Sequence, residues 1–422
     1  MKKEAVMIKE LYLENWKSFG SSRLYIDPLT ILIGTNASGK SNILDALLFL
    51  QKIANGKQIT SAINGDQENA GIRGGLEWVI KRNESIAKIE VVIASRVDQN
   101  VDYKYQLEIA VVDDTRVEIV SESLSKIKTA QNGKELSKKR LYWAPADNSN
   151  GSTIKAYFYT AKQGPGKRID LRKSFSLLTQ SHSIPLNKEA QEGISEVLSS
   201  LRQIFVLDPI PSHMRAYAKF SERLEPDASN IAGVLAALDE KQKVETEETL
   251  THYFQKLPEK YILKVWTEPV GKFRSDAMLY CSEKWNKTEE EFIVDARGMS
   301  DGSLRFLAIM TALLTLEPGS LLVIEEIDNG FHPSKAKLLV QFLKKIGTER
   351  RIDIICTTHN PALLDAFGNE MIAFISLVFR EQETGASDIK LLEDLAELPR
   401  IIARGSLGRV TTLGLLQDAP KE

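Results

Sequence analysis

Residues 29–42 constrain this chain more than any other stretch. Leu29-Thr30-Ile31-Leu32-Ile33 reads as a short buried strand. A glycine-bounded loop follows, Gly34-Thr35-Asn36-Ala37-Ser38-Gly39, and Lys40-Ser41-Asn42 opens a helix. Two glycines and a Lys-Ser pair stand at the separations of a phosphate-binding loop. The chemistry explains the residue types. Gly34 and Gly39 let the backbone turn so that several N–H groups face one point. The positive end of the next helix adds to that anion cradle. Lys40 can reach the β- and γ-phosphates of a nucleotide, and the Ser41 hydroxyl can ligate Mg²⁺. Strand, loop and helix occur in the required order, which disfavours a chance match on a glycine turn.

The chain has 422 residues, enough for one large or two modest domains. It is 43% apolar and 27% charged, the balance of a soluble globular protein. Its 55 basic and 57 acidic residues nearly cancel. That excludes whole-molecule attraction to nucleic acid and leaves a local basic groove open. Cys281 and Cys356 are far apart in apolar, strand-like runs. No disulfide framework is expected, and a reducing, cytoplasmic setting is. The N-terminus has basic residues without the apolar core of a signal peptide. The longest apolar stretch, 306–316, is shorter than the about 20 residues of a membrane span, so no membrane partner is expected.

Residues 7–27 read as a strand pair around an Asn15-Trp16-Lys17-Ser18-Phe19-Gly20 turn. Residues 42–54 carry a helical apolar stripe closed by Gly56. The stretch 55–76 reads as a polar, Gly-rich loop or lid ending in Ala70-Gly71-Ile72-Arg73-Gly74-Gly75. From 77 to 160 the period falls to two. Strands are expected over 86–94, 103–112, 116–123 and 154–160, with turns such as Asp113-Asp114 and Gln131-Asn132-Gly133, as an antiparallel meander. The most basic surface lies here and just beyond, at Lys134, Lys138, Lys139, Arg140, Lys167, Arg168, Arg172 and Lys173. A solvated face is favoured there over a nucleic-acid or partner contact. Residues 175–260 read as mostly helical, with helices over 188–204, 230–239 and 245–255 and no sustained heptads. Strands return over 261–267, 277–282 and 291–295.

Three distal stretches carry chemistry. Ser300-Asp301-Gly302-Ser303 opens an apolar helix reaching Leu316. It is an anion-facing turn or an ordinary helix cap, and taken alone the cap is the stronger reading. Ser320 to Ile324 reads as a buried strand ending in Glu325-Glu326. Burying two adjacent carboxylates is costly unless a cation or phosphate chemistry uses them. One can hold Mg²⁺ and the other can polarise an attacking water. A helix over 334–346, stopped by Gly347, and a strand over 352–356 lead into Thr357-Thr358-His359-Asn360-Pro361. A His at the C-terminal end of a strand lies where α/β sheets bind ligands, which favours a γ-phosphate contact for His359. His332 reads as structural, and His182, His213 and His252 have no ligand-spaced partners.

These blocks resemble the ABC-type ATPases of the SMC, RecF and OLD group. The resemblance rests on Asn15 to Phe19, the phosphate loop through Asn42, Ser300 to Ser303, Glu325-Glu326 and Thr358-His359-Asn360-Pro361. Leu224-Glu225-Pro226-Asp227-Ala228-Ser229-Asn230 and Ser303-Leu304-Arg305-Phe306-Leu307-Ala308 carry a closer likeness to compact AAA-family ATPases of bacterial defence and toxin-like operons. The resemblance implies an α/β fold, a P-loop NTPase head of the ABC-ATPase type. That head has a mixed central sheet, an antiparallel β meander, and here a helical insertion in place of a coiled-coil arm. Its N-terminal part, with the P-loop and β subdomain, would take 1–175, the insertion 176–260, and the C-terminal part, with signature, Walker B and His switch, 261–422.

The same resemblance implies ATP and Mg²⁺ as ligands, and a homodimer or higher homo-oligomer sandwiching two ATPs. Each ATP would touch Gly34, Thr35, Asn36, Ala37, Ser38, Gly39, Lys40, Ser41 and Asn42 of one subunit. Ser300 and Gly302 would come from the other. Lys40, Glu326 and His359 would form the catalytic set, with Glu326 activating water and His359 sensing the γ-phosphate. Ser41 and Glu325 would serve the metal. There are departures: Glu325 stands where Asp is usual, Asp301 stands where many relatives have Gly, and neither Gln51 nor Gln67 suits the Q-loop. The about 60 residues after His359 read as a last strand over 371–379, a turn and a tail, too little for a fused nuclease.

Three functional readings follow. In the first, an ATP-driven dimeric switch controls a separate effector, a nuclease or toxin, in antiphage defence. In the second, a RecF-like ATPase binds DNA through the basic meander. In the third, the chain is an ATP-binding scaffold with little turnover.

Overall fold

In the computed structural model, residues 7–418 are described apart from 68–69, 114, 131–133, 148, 150, 161–165, 258–260, 285–289 and 331. The expected turns at Asp114 and at 131–133 lie outside the described residues. Strands β1 (Ile8–Glu14) and β2 (Ser21–Tyr25) pair antiparallel across the tryptophan turn. Strand β3 (Leu29–Ile33), buried at all its positions, leads through the phosphate loop into α1 (Lys40–Ala54). Two short helices, α2 (Ile59–Asn64) and α3 (Gly75–Val79), take up part of the stretch expected to be loop.

Six strands follow: β4 (Ile86–Ala94), β5 (Val101–Asp113), β6 (Arg116–Thr129), β7 (Glu135–Ala144), β8 (Thr153–Phe158) and β9 (Lys167–Arg172). With β1 and β2 they build an eight-stranded antiparallel sheet in the order β2-β1-β4-β5-β6-β7-β8-β9. The expected meander is there, extended by two strands. Both β7 and β9 lie where the sequence shows a run of charge. The first six residues of β7 are all exposed, so no apolar alternation marks them.

Next come α4 (Leu177–Gln180), α5 (Lys188–Arg202), β10 (Ile204–Leu207), β11 (Ala218–Lys219), α6 (Ile231–Ala237) and α7 (Glu240–Gln255). The helix expected over 188–204 therefore ends two residues early, and Ile204 starts a strand. Strands β12 (Ile262–Val270), β13 (Asp276–Glu283) and β14 (Phe292–Asp295) form a small sheet with β11.

The chain then runs through α8 (Asp301–Thr315), β15 (Leu321–Ile324), α9 (Ala336–Arg350), β16 (Asp353–Thr357) and α10 (Pro361–Phe367). Helix α9 does not stop at Gly347. A Cβ there would crowd Ile354 Cδ1 at 3.1 Å, so this glycine serves close packing within the helix. Strands β17 (Ile375–Arg380) and β18 (Ser387–Leu391) follow, then α11 (Leu398–Ile402), α12 (Leu407–Thr412) and α13 (Leu415–Asp418), where a plain tail was expected.

A six-stranded sheet, β10-β15-β16-β3-β17-β18, draws on both ends of the chain. Its first five strands are parallel and β18 is antiparallel. The sheet divides two apolar cores. Ile31, Ile33, Ile324 and Ile354 point into one core with α8 and α9, whereas Leu32, Val323, Ile355 and Val378 point into the other with α1 and the antiparallel sheet. A strand buried on both faces needs a mostly apolar run: β15 is apolar throughout, β3 is broken only by Thr30, and β16 carries Ile354-Ile355-Cys356 at its centre.

Candidate functional site

The phosphate loop leaves the middle of the parallel sheet. Gly34 departs from β3 at φ +149°, and a Cβ there would lie 2.1 Å from the Val378 carbonyl oxygen. No other residue fits that passage beside β17. Thr35, Asn36 and Ala37 are exposed, while Ser38, Gly39 and Lys40 are buried. The Lys40 ammonium donates to the carbonyls of Gly34 (2.7 Å) and Thr35 (2.9 Å). Burial lowers its pKa, opposed by the charges of Glu326 and Glu325. The Ser38 hydroxyl is buried without a hydrogen-bond partner. An orphaned donor in a phosphate loop is suited to an anion.

The N-terminal aromatic motif buttresses this loop. Trp16 is fully buried, its indole N–H donates to the Asn42 carbonyl (2.9 Å), and its ring lies 5.4 Å from that of Phe49. Asn42 Nδ2 donates to Ser18 Oγ (2.7 Å), which bonds Ser387 Oγ (2.7 Å). Ser387 Oγ in turn donates to the Ser38 carbonyl, and Arg380 Nε donates to the Ala37 carbonyl (2.9 Å). The loop is thus held from both ends of the chain.

Strand register brings the distal motifs to the same edge. Ile324 lies opposite Cys356, and Thr357 lies opposite Leu32, so β15, β16 and β3 end together. Glu325 accepts from the Ser41 hydroxyl. Glu326 is exposed and sits at φ +45°, with its N–H donating to Thr357 Oγ1 (2.7 Å). A left-handed conformation in a non-glycine residue costs about 1–3 kcal/mol, strain of a kind found at functional sites. Thr358 Oγ1 donates to Asp328, and the exposed His359 follows at the strand's mouth. Neither glutamate is buried, contrary to the expectation from the apolar strand before them, so water shares in solvating both charges.

A residue the sequence did not single out answers the charge of Glu325. Arg73, in the Gly-rich loop, grips both carboxylate oxygens of Glu325 at 2.9 Å through Nη1. It also donates to Asp45 Oδ1 (3.2 Å) and the Ser41 carbonyl (3.2 Å). Asp45 is buried and paired with the buried Lys17, whose pKa burial lowers against the pull of Asp45. Gly74 at φ +80° and Gly75 at φ +54° permit the turn that presents Arg73.

Ser300 and Gly302 stand apart from this cluster. Ser300 Oγ accepts from the Ser303 N–H (3.2 Å) and caps α8. A Cβ on Gly302 would meet the Gly330 carbonyl at 2.5 Å, so the turn packs against the loop after the two glutamates. Among the described residues, no hydrogen bond or ion pair joins Ser300 or Gly302 to residues 34–42. His332 caps the short turn at Ser334, in keeping with a structural reading. Gln51 lies on α1 and the exposed Gln67 follows α2. Cys281 and Cys356 are buried free thiols, the former pushed up to about 12 chiefly by burial. No group of three or more metal-ligating side chains occurs among the described residues.

Comparisons with known proteins agree with this fold. Over 71 residues the chain is 38% identical to the chromosome partition protein Smc of Synechocystis, a match covering 16% of this chain and 6% of that protein. A solved Smc head bound to the C-winged helix domain of ScpA superposes with a TM-score of 0.52 at 13% identity, covering 91% of this chain and 97% of that one. The Smc head with an extended coiled coil, bound to the C-terminal domain of ScpA from Pyrococcus furiosus, gives a TM-score of 0.50 at 14% identity, covering 94% and 99%. The fold is that of an SMC-type ABC-ATPase head. A family profile described as "AAA domain, putative AbiEii toxin, Type IV TA system" matches residues 29–365. With well over half its length inside that match, the chain belongs to this AAA-domain family.

Proposed function

We propose that this protein is an ATP-hydrolysing switch that closes as a homodimer on ATP and opens on hydrolysis. One observation carries the reading. The phosphate loop, the glutamate pair and His359 share one sheet end, while among the described residues no hydrogen bond or ion pair joins the capped turn at Ser300 to its own phosphate loop. In the proposed switch, that turn would complete the site of another copy. Lys40 and the N–H groups of residues 34–42 would hold the phosphates. Glu326 would take the proton of the attacking water, and His359 would contact the γ-phosphate.

The donor set suits Mg²⁺. The Ser41 hydroxyl and the Glu325 carboxylate are hard oxygen ligands already bonded to each other. Bound there, Mg²⁺ would neutralise phosphate charge. Arg73 holds the same carboxylate and would release it when the metal is taken up.

The output of the switch is control of a separate effector, a nuclease or toxin. The toxin–antitoxin wording of the matched family supports that reading. The test is light scattering of wild type and Glu326→Gln with and without Mg²⁺-ATP, alongside phosphate release. The expected result is a larger assembly locked by Glu326→Gln and no phosphate release from it. Unchanged size with equal phosphate release in both proteins would sink the proposal.

DNA binding is the second reading, favoured by one surface. On the antiparallel sheet Trp143 stacks on Tyr157 (5.2 Å) and lies near Tyr159 (5.8 Å), with Arg140 over Trp143 and Arg168 opposite Tyr157. Aromatic faces among arginines are a stacking platform for bases.

A further inference from the structure

We propose that Arg215 is a positioning residue that shapes this chain's Ser300 turn for a second copy's nucleotide, an inference that rests on the dimeric switch above. The turn between β14 and α8 has carbonyls that no sheet or helix ladder uses. Arg215 Nη1 donates to the carbonyls of Ala296 (2.9 Å), Met299 (2.7 Å) and Arg297 (3.2 Å). Its Nη2 pairs with the carboxylate of Asp301. One planar guanidinium therefore ties the turn on both sides of Ser300.

Charge adds a second reason. Asp301 is largely exposed in the first turn of α8, beside the end where an anion would approach. Unpaired, its carboxylate would repel phosphate, and Arg215 cancels that charge. The arginine has a firm base, because Met214 beside it is buried in the core with α8. The segment begins at Asp208, directly after Leu207, which lies opposite Ile324 in the sheet. A short strap thus runs from the glutamate edge of the chain's own site to the turn it offers a partner.

The experiment uses the full chain carrying Glu326→Gln and a fluorescent ATP analogue. The parent is expected to dimerise with Mg²⁺-nucleotide. Adding Arg215→Ala is expected to leave nucleotide binding by the monomer within twofold and to weaken the dimer at least tenfold. Arg215→Lys is expected not to restore it, because an ammonium lacks the guanidinium fork. With Glu326 intact, an Arg215→Ala chain mixed with a Lys40→Ala chain is expected to regain phosphate release that neither shows alone. In that mixed dimer one site has both a sound phosphate loop and a sound turn.

Equal dimerisation of Arg215→Ala and its parent overturns the clamp, as does loss of nucleotide binding by the monomer. If Arg215→Ala lowers the melting temperature of the monomer, the double variant Arg215→Ala, Asp301→Asn decides instead. It removes the carboxylate that Arg215→Ala leaves unpaired, so partial recovery of the dimer is expected, and a dimer no tighter than that of Arg215→Ala alone overturns the proposal. A parent that stays monomeric with nucleotide overturns the switch itself, so the two failures are told apart.

Discussion

At the scale of single residues, the site is wired by charges that lie far apart in sequence. Asp45 has two cationic partners, Lys17 and Arg73, whereas Lys17 depends on Asp45 and the Arg73 carbonyl. The Lys17 and Asp45 side chains are 5% and 4% exposed, so an orphaned charge there has little water. Asp45→Ala should therefore destabilise the nucleotide-free protein by about 3–5 kcal/mol. Lys17→Met should cost clearly less, because Arg73 still answers Asp45. Urea denaturation of the two variants checks the order. The phosphate loop was legible because its chemistry fixes residue spacing. Arg73 was not, because a lone arginine in a glycine-rich loop shows no period, and its carboxylate partner Glu325 lies 252 residues away.

At the scale of elements, α8 separates two roles for one hydroxyl. As a cap, Ser300 is worth about 1 kcal/mol, and Ser300→Ala should lose that much stability. Ser300→Asp keeps the cap, because aspartate also caps helices well, yet it sets a negative charge where phosphate would dock. It should melt close to wild type while failing to assemble with ATP. Assembly of Ser300→Asp at wild-type affinity would leave Ser300 as a cap alone. Element boundaries were legible where apolar periodicity was strong, as in β4, whereas the polar first turn of α7 hid its start at Glu240, five residues before the expected 245. Strand β10 was hidden because Ile204 to Leu207 continues the apolar spacing of α5. Strand β7 was hidden because its exposed charges look like a solvated run.

At the scale of the whole molecule, near-neutral net charge masks local polarity. The aromatic and arginine surface of the antiparallel sheet predicts that any oligonucleotide binding falls steeply between 50 and 200 mM salt, roughly in proportion to the phosphates neutralised. Fluorescence anisotropy with a single-stranded oligonucleotide measures the slope, and Trp143→Ala should weaken binding at every salt concentration. Binding indifferent to salt, or to Trp143, would remove DNA from the account.

The central sheet has a consequence for synthesis. Strand β3 emerges early from the ribosome, but its two neighbours, β16 and β17, are made more than 300 residues later. Throughout translation the phosphate loop hangs on a strand with neither edge paired, so its glycine passage beside Val378 does not yet exist. A truncated or stalled product is accordingly unable to form the cradle. A chain stalled before β17 therefore has no phosphate cradle to offer a nucleotide.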